Sequence, residues 1–137
     1  MTSVCTGALV LGAAGLLVGK RATTHWASRQ FLATLGAVPV RDRYVRDGKL
    51  MTGGGVTAGI DFGLALLAEL AGQAAAESVQ LFMEYAPAPP FDAGDPDTAP
   101  KAVLDRVTAL LAPSPRSAQS SSPGRLGRGG PAEGAAS

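Results

Sequence analysis

The chain carries a single cysteine, Cys5, and a single histidine, His25. The cysteine stands in Met1-Thr2-Ser3-Val4-Cys5-Thr6-Gly7-Ala8-Leu9-Val10-Leu11, where a short β-prone stretch gives way at once to an apolar helical run. That spacing predicts a nucleophile elbow, a tight turn that holds a reactive side chain above a sheet at the first turn of a helix. Partial positive charge and unsatisfied N–H groups at a helix N-terminus favour a thiolate over a thiol there. The same N–H groups can stabilise an oxyanion. The plainer alternative is a small buried hydrophobe, because free cysteine is among the most buried residue types.

The elements that must position Cys5 follow from the rest of the chain. A length of 137 residues allows one domain, and 46% hydrophobic with 17% charged residues is a globular composition. A net charge of +1 gives no electrostatic argument for nucleic acid or an anionic membrane. One cysteine excludes an intrachain disulfide and suits a reducing cytosol, so a cytoplasmic setting is expected. One cysteine with one histidine is too few soft ligands for a structural zinc site, and no metal or cofactor is expected. The apolar stretch from Ala8 to Val18 is well short of the roughly 20 residues that span a bilayer, and no basic segment precedes it.

Thr6 to Ala14 is apolar nearly all round, which predicts a helix buried on most sides and closed by Gly15. Lys20 to His25 reads as a short strand, and Ser28 to Leu35 as a helix ended by Gly36. Val38 to Val45 alternates apolar and charged residues, the period-two mark of a half-exposed strand. Asp47-Gly48 signals a hairpin turn into Lys49 to Thr52, followed by the run Gly53-Gly54-Gly55. Thr57 to Leu70 is the clearest helix, with Ile60, Leu64, Leu67 and Leu70 on one face and Phe62 and Leu66 beside it. Gly72 breaks it before a further helix from Ala74 to Tyr85. Pro87, Pro89 and Pro90 force a loop that runs to Pro100, and Lys101 to Leu111 is a last amphipathic helix. From Pro113 the chain is rich in Ser, Gly, Pro and Arg, so residues 113–137 are expected to be a disordered tail after a domain of residues 1–112. Arg116, Arg125 and Arg128 in that tail read as solvated charges. Strands alternating with helices argue for an α/β layered fold with a mostly parallel sheet.

Ser3-Val4-Cys5-Thr6-Gly7-Ala8, with Gly15-Leu16-Leu17 and Ala22-Thr23-Thr24-His25-Trp26 after it, resembles the ThiJ/PfpI superfamily. Gly53-Gly54-Gly55-Val56-Thr57-Ala58-Gly59-Ile60-Asp61 is similar to that family's last glycine-rich loop and helix. Gln80-Leu81-Phe82-Met83-Glu84-Tyr85 and Pro87-Ala88-Pro89-Pro90-Phe91-Asp92 resemble its isonitrile hydratase branch. The resemblance runs from about Met1 to Pro100. It implies a flavodoxin-like three-layer α/β sandwich of the class I glutamine amidotransferase type, in most members a homodimer. It also implies that the N-terminal half of the domain is missing from this chain.

In the hydratase branch the thiolate attacks the terminal carbon of an isonitrile, and water converts the thioimidate to an N-substituted formamide. The resemblance makes Cys5 the nucleophile of such a cysteine-dependent hydro-lyase. It places Thr6 and Gly7 beside an oxyanion or ligand pocket, with His25, Gly54 and Gly55 nearby. The family's general acid/base is a carboxylate at the end of its first strand, and no acidic residue precedes Cys5. Loss of that group removes the agent that protonates carbon and activates water, so an inactive chain is the expectation. The alternative is a non-catalytic ligand-sensing module related to the sensor half of AraC-type regulators. Pro87 to Ser137 leaves no room for a helix-turn-helix and offers no basic recognition helix, which weighs against that alternative. A truncated product that neither folds alone nor acts is a third reading.

Among the remaining candidates, His25 reads either as a base for Cys5 or, more plainly, as a polar cap. Asp61 is expected to be a hydrogen-bonded structural carboxylate. Glu84 and Asp92 would border a pocket or a dimer seam. Asp95 and Asp97 resemble a calcium loop only superficially, because the other ligands are missing. The expected partner is a small-molecule substrate, with neither membrane nor nucleic acid.

Overall fold

The computed structural model describes residues 1–112, so the tail expected over residues 113–137 lies outside the described residues. A short strand β1 (Thr2–Val4) turns through Cys5 and Thr6 into helix α1 (Gly7–Ala13). Strand β2 (Arg21–Ala22) leads through a 3₁₀ turn (Trp26–Ser28) into α2 (Arg29–Thr34) and then β3 (Val38–Pro39). Strands β4 (Tyr44–Asp47) and β5 (Leu50–Gly53) precede the long helix α3 (Ala58–Ala71). Helices α4 (Gln73–Phe82) and α5 (Lys101–Leu111) complete the described chain.

The strands form two small sheets. In the first, β5 is central, parallel to β1 and antiparallel to β4. The hairpin that Asp47-Gly48 signals is present, and Gly48 adopts the left-handed φ of 61° that such a turn requires. The second sheet pairs β2 with β3 in parallel. Two of the three strand pairings are therefore parallel, as expected, and the antiparallel β4–β5 hairpin makes the first sheet mixed. The expected strand from Val38 to Val45 is two strands in two sheets. Its alternation runs on through Pro39, which has no N–H to give to a ladder, and the segment between turns away before Tyr44. Lys20 to His25 likewise shortens to Arg21–Ala22.

The core gathers Ala8, Leu17, Ala22, Leu32, Ala37 and Leu50, with Leu9 and Leu11 against it. At Gly12 a Cβ would fall 2.9 Å from Leu35 Cβ, so glycine is what lets α1 approach the end of α2. Only Ala8 and Gly12 of α1 are buried, however, and Val10 is 71% exposed. The expectation of a helix covered on most sides fails because, among the described residues, α1 packs chiefly on β1 and α2. In α3 the buried side chains are Ala58 and Phe62, whereas Leu70 is 78% exposed. Periodicity groups the apolar residues of a helix but does not say which of them meets a neighbouring element. Helix α4 stops at Phe82 rather than Tyr85, because Glu84 turns into the left-handed region at φ 50°.

Two side-chain contacts tie the sheets together. Thr52 Oγ1 in β5 accepts the Thr23 N–H at 2.9 Å in a buried position just after β2. Asp47 Oδ2 at the end of β4 accepts the Arg21 N–H at 2.9 Å, with Lys20 3.5 Å away. The Arg21 amide, helped by Lys20, holds the Asp47 carboxyl below its ordinary value. A depressed carboxyl contributes stability above its unfolded value, and that contribution disappears as pH falls through the lower folded value. Asp47→Asn is therefore expected to lower stability near neutrality. It should also flatten the loss of stability that the parent chain shows as pH drops through and below about 4. Urea midpoints from pH 7 to pH 2.5 check this, and parallel curves for the two proteins would refute it.

Candidate active site

The turn between β1 and α1 has the geometry that a nucleophile elbow requires. Cys5 adopts φ 56°, a left-handed conformation that costs an L-residue roughly 1–2 kcal/mol. Residues persist in such conformations only where their surroundings over-determine them. Here the Cys5 N–H donates to Gly54 O at 2.8 Å and to Gly53 O at 3.1 Å, which fixes the turn to the end of β5. The Cys5 carbonyl accepts the buried Thr24 hydroxyl at 2.6 Å. Cys5 is thus held from both sides of its peptide. The Thr6 N–H finds no acceptor among the described residues, as befits the start of a helix.

Cys5 is half-buried and opens onto a groove of about 720 Å³. Thr6 and His25 share that groove, walled by Trp26, Phe31 and Val56. Thr108 and Leu111 of α5 also line it. No carboxylate lines it among the described residues. His25 caps the 3₁₀ turn, its Nδ1 accepting the Ala27 N–H at 3.4 Å, with its ring 5.5 Å from that of Trp26. An Nδ1 that accepts leaves Nε2 as the ring nitrogen able to donate a hydrogen bond. The polar-cap reading of His25 describes this arrangement.

Gly54 and Gly55 lie instead on a groove of about 270 Å³ that shares His25, Trp26 and Val56 with the first and is lined also by Arg29, Arg41 and Arg43. The need for glycine at position 54 comes from the backbone rather than the groove. A Cβ there would stand 3.3 Å from the Arg43 carbonyl oxygen, which also accepts the Gly54 N–H at 2.8 Å. Gly7 lines neither groove and begins α1 behind the turn. Asp61 is the hydrogen-bonded carboxylate expected, taking Arg43 on one oxygen and the Tyr85 hydroxyl on the other. Glu84 and Asp92 are exposed and border shallow clefts away from Cys5. Asp97 pairs with Arg41, and no cluster of metal-binding side chains occurs among the described residues.

Sequence reasoning did not find the contribution of α5 to the groove, since nothing in Lys101 to Leu111 marks which face meets residues a hundred positions earlier. Thr24 was legible as part of a threonine-threonine-histidine stretch, but its bond to Cys5 was not.

A strand ending in a left-handed cysteine, a helix beginning two residues later and a glycine loop gripping the cysteine amide define a thiol-bearing α/β domain of flavodoxin-like type. Residues 1–69 match the model of the DJ-1/PfpI family, and the chain belongs to that family. It is 68% identical over 114 residues to an isonitrile hydratase of Pseudomonas putida, a match covering 83% of this chain and 50% of that protein. It is 35% identical over 85 residues to protein DJ-1 homolog A of Arabidopsis thaliana, covering 62% of this chain and 22% of the relative. The fold superimposes on a ThiJ/PfpI family protein from Pseudomonas syringae with a TM-score of 0.78 at 55% identity, over 81% of this chain and 46% of that one. Drosophila melanogaster DJ-1beta gives a TM-score of 0.56 at 26% identity, over 63% of this chain and 44% of that one. The chain thus spans about half the length of the hydratase it matches. No helix among the described residues is long and apolar enough to cross a membrane.

Proposed function

We propose that this chain carries the thiol-bearing part of an isonitrile hydratase-like site, with Cys5 as the nucleophile. The observation that supports this most directly is the left-handed Cys5 turn opening onto a groove shared with Thr6 and His25. The identity to isonitrile hydratase supports the substrate class. In this reading the Cys5 thiolate adds to the terminal carbon of an isonitrile, forming a C–S bond. That carbon takes a proton to give a thioimidate, whose nitrogen gains electron density and takes a proton when water adds, and the Thr6 N–H and His25 Nε2–H would hydrogen-bond to it there. Water then adds to the same carbon, the C–S bond breaks, and the thiolate returns as an N-substituted formamide leaves.

Protonation and water activation need a positioned acid/base, and the groove offers no carboxylate among the described residues. General acid/base groups contribute roughly 10²–10⁴-fold. The chain's own residues therefore support formation of the adduct far better than its hydrolysis. A homodimer and a cytoplasmic setting belong to the same reading. A non-catalytic ligand-sensing module is the second reading, favoured by the same lack of a carboxylate in the groove.

Incubation with cyclohexyl isonitrile, followed by intact-mass measurement and fragmentation, tests the proposal. The expected result is a mass gain of one whole isonitrile on Cys5, with formamide released at least ~100-fold more slowly than when such a carboxylate is present. Modification of Cys5 by iodoacetamide without any isonitrile adduct would reject the substrate class. Reversible binding without a covalent mass would point to the sensing module.

A further inference from the structure

Arg43 reaches two parts of the molecule at once. Its guanidinium pairs with Asp61 of α3 through Nε and lies 3.5 Å from Thr57 Oγ1 at the start of the same helix. Its carbonyl oxygen accepts the Gly54 N–H at 2.8 Å, and the Gly54 carbonyl in turn accepts the Cys5 N–H at 2.8 Å. Asp61 is itself steadied from behind, because its second oxygen accepts the Tyr85 hydroxyl at 2.9 Å from beyond the end of α4. A continuous path therefore runs from Tyr85 through Asp61 and Arg43 to Gly54 and the strained peptide of Cys5.

We infer that Arg43, Asp61 and Tyr85 form a clamp that positions the Cys5 thiol by fixing the Gly54 carbonyl on which the Cys5 amide rests. The inference rests on the reading of Cys5 as the nucleophile and names positioning residues for it; none of the three lines the thiol groove. A stabilising role alone would be a poor account of the cluster. Arg43 is more than half exposed, and ion pairs that exposed are worth about 0–1 kcal/mol. What the exposed pair does supply is direction, since the same residue that binds α3 also holds the loop against the elbow. Positive φ at Cys5 requires such outside support. The coupling within the cluster is also visible in its protonation, for the hydrogen bonds to Asp61 raise both the Tyr85 phenol and the Arg43 guanidinium above their ordinary values.

The test is the second-order rate at which iodoacetamide alkylates Cys5 in the parent chain, Asp61→Asn, Asp61→Glu and Tyr85→Phe. Amide hydrogen exchange is followed at Cys5 and Gly54 in each. Losing a hydrogen bond worth about 1 kcal/mol corresponds to roughly fivefold, so Asp61→Asn is expected to alkylate about three- to tenfold more slowly. Tyr85→Phe, which leaves the ion pair intact, is expected to slow the reaction by about twofold. Asp61→Glu, which keeps the carboxylate, is expected to recover most of the rate. Exchange at Cys5 and Gly54 should rise while amides of the α1–α2 core stay protected, a local change that general destabilisation does not produce. If Asp61→Asn unfolds the chain, Tyr85→Phe alone decides the matter. Parent-like rate and exchange in Asp61→Asn, or in Tyr85→Phe when it stands alone, overturn the clamp while leaving the nucleophile intact. A parent chain that alkylates no faster than its urea-unfolded form overturns the nucleophile reading and the clamp with it.

Discussion

Cys5→Gly is expected to make the protein more stable and chemically inert at the same time. The backbone at Cys5 sits at φ 56°, where a Cβ is penalised by roughly 1–2 kcal/mol and glycine is not. Glycine also gives the unfolded chain more freedom, which offsets about 0.5–1 kcal/mol of that relief. The net gain should be about 0.5–1 kcal/mol, a rise of several degrees in melting temperature for a domain of roughly this size. All adduct with iodoacetamide or an isonitrile should vanish. Cys5→Ala removes the same thiol but keeps the Cβ, so it should lose the chemistry without gaining the stability. Circular-dichroism melts of the three proteins separate the two effects. Equal melting temperatures for the glycine and alanine variants would show that the turn stores no strain. The expected pattern is that of a site where a conformation unfavourable to folding is retained because it presents a side chain.

What could be read from the chain alone was whatever local chemistry decides. Asp47-Gly48 demands a left-handed turn and delivers one, and the change from β-prone to helical residues around Cys5 marks the elbow. Lys101 to Leu111 is amphipathic between Pro100 and Pro113, and its bounds agree with the structure. Faces were harder than elements. Val10 and Leu70 look as buried as Ala8 and Phe62 when judged by type, because apolar character does not say which face of a helix meets a neighbour. The alternation from Val38 to Val45 concealed a break, since Arg41-Asp42-Arg43 continues a polar pattern while the backbone leaves one sheet for another. The candidate site divides the same way. Cys5 announces itself by uniqueness and context, whereas Arg43 is one of many surface arginines until its carbonyl is seen on Gly54. Contacts made by main-chain atoms have no side-chain type to betray them.

Thr23, Thr24 and Thr52 carry the same side chain, and all three are buried, yet replacing each by valine should have three different results. Thr52 Oγ1 accepts the Thr23 N–H at 2.9 Å, the buried bond that joins β5 to the segment after β2. Thr52→Val leaves that amide without a partner in a place water does not reach, at a cost of about 1–3 kcal/mol. A drop in melting temperature of roughly 5–20 °C is expected, the largest of the three effects. Thr23 Oγ1, by contrast, is buried and has no partner among the described residues. Thr23→Val replaces an unpaired hydroxyl with a methyl of similar shape, so stability should be unchanged or rise by about 1 kcal/mol. Thr24→Val removes the 2.6 Å bond to the Cys5 carbonyl, a net loss of about 0.5–1.5 kcal/mol. Its clearer signature should be a slower alkylation of Cys5, because the turn loses one of the groups that hold it. Thermal melts and alkylation rates on the three variants decide between this account and the simpler one, in which buried threonines act only as fillers. The simpler account requires similar shifts from all three, and a Thr52→Val protein as stable as Thr23→Val would establish it. The order expected here, with Thr52 indispensable to the join between the sheets, Thr24 to the elbow and Thr23 to neither, depends only on which hydroxyl has a partner.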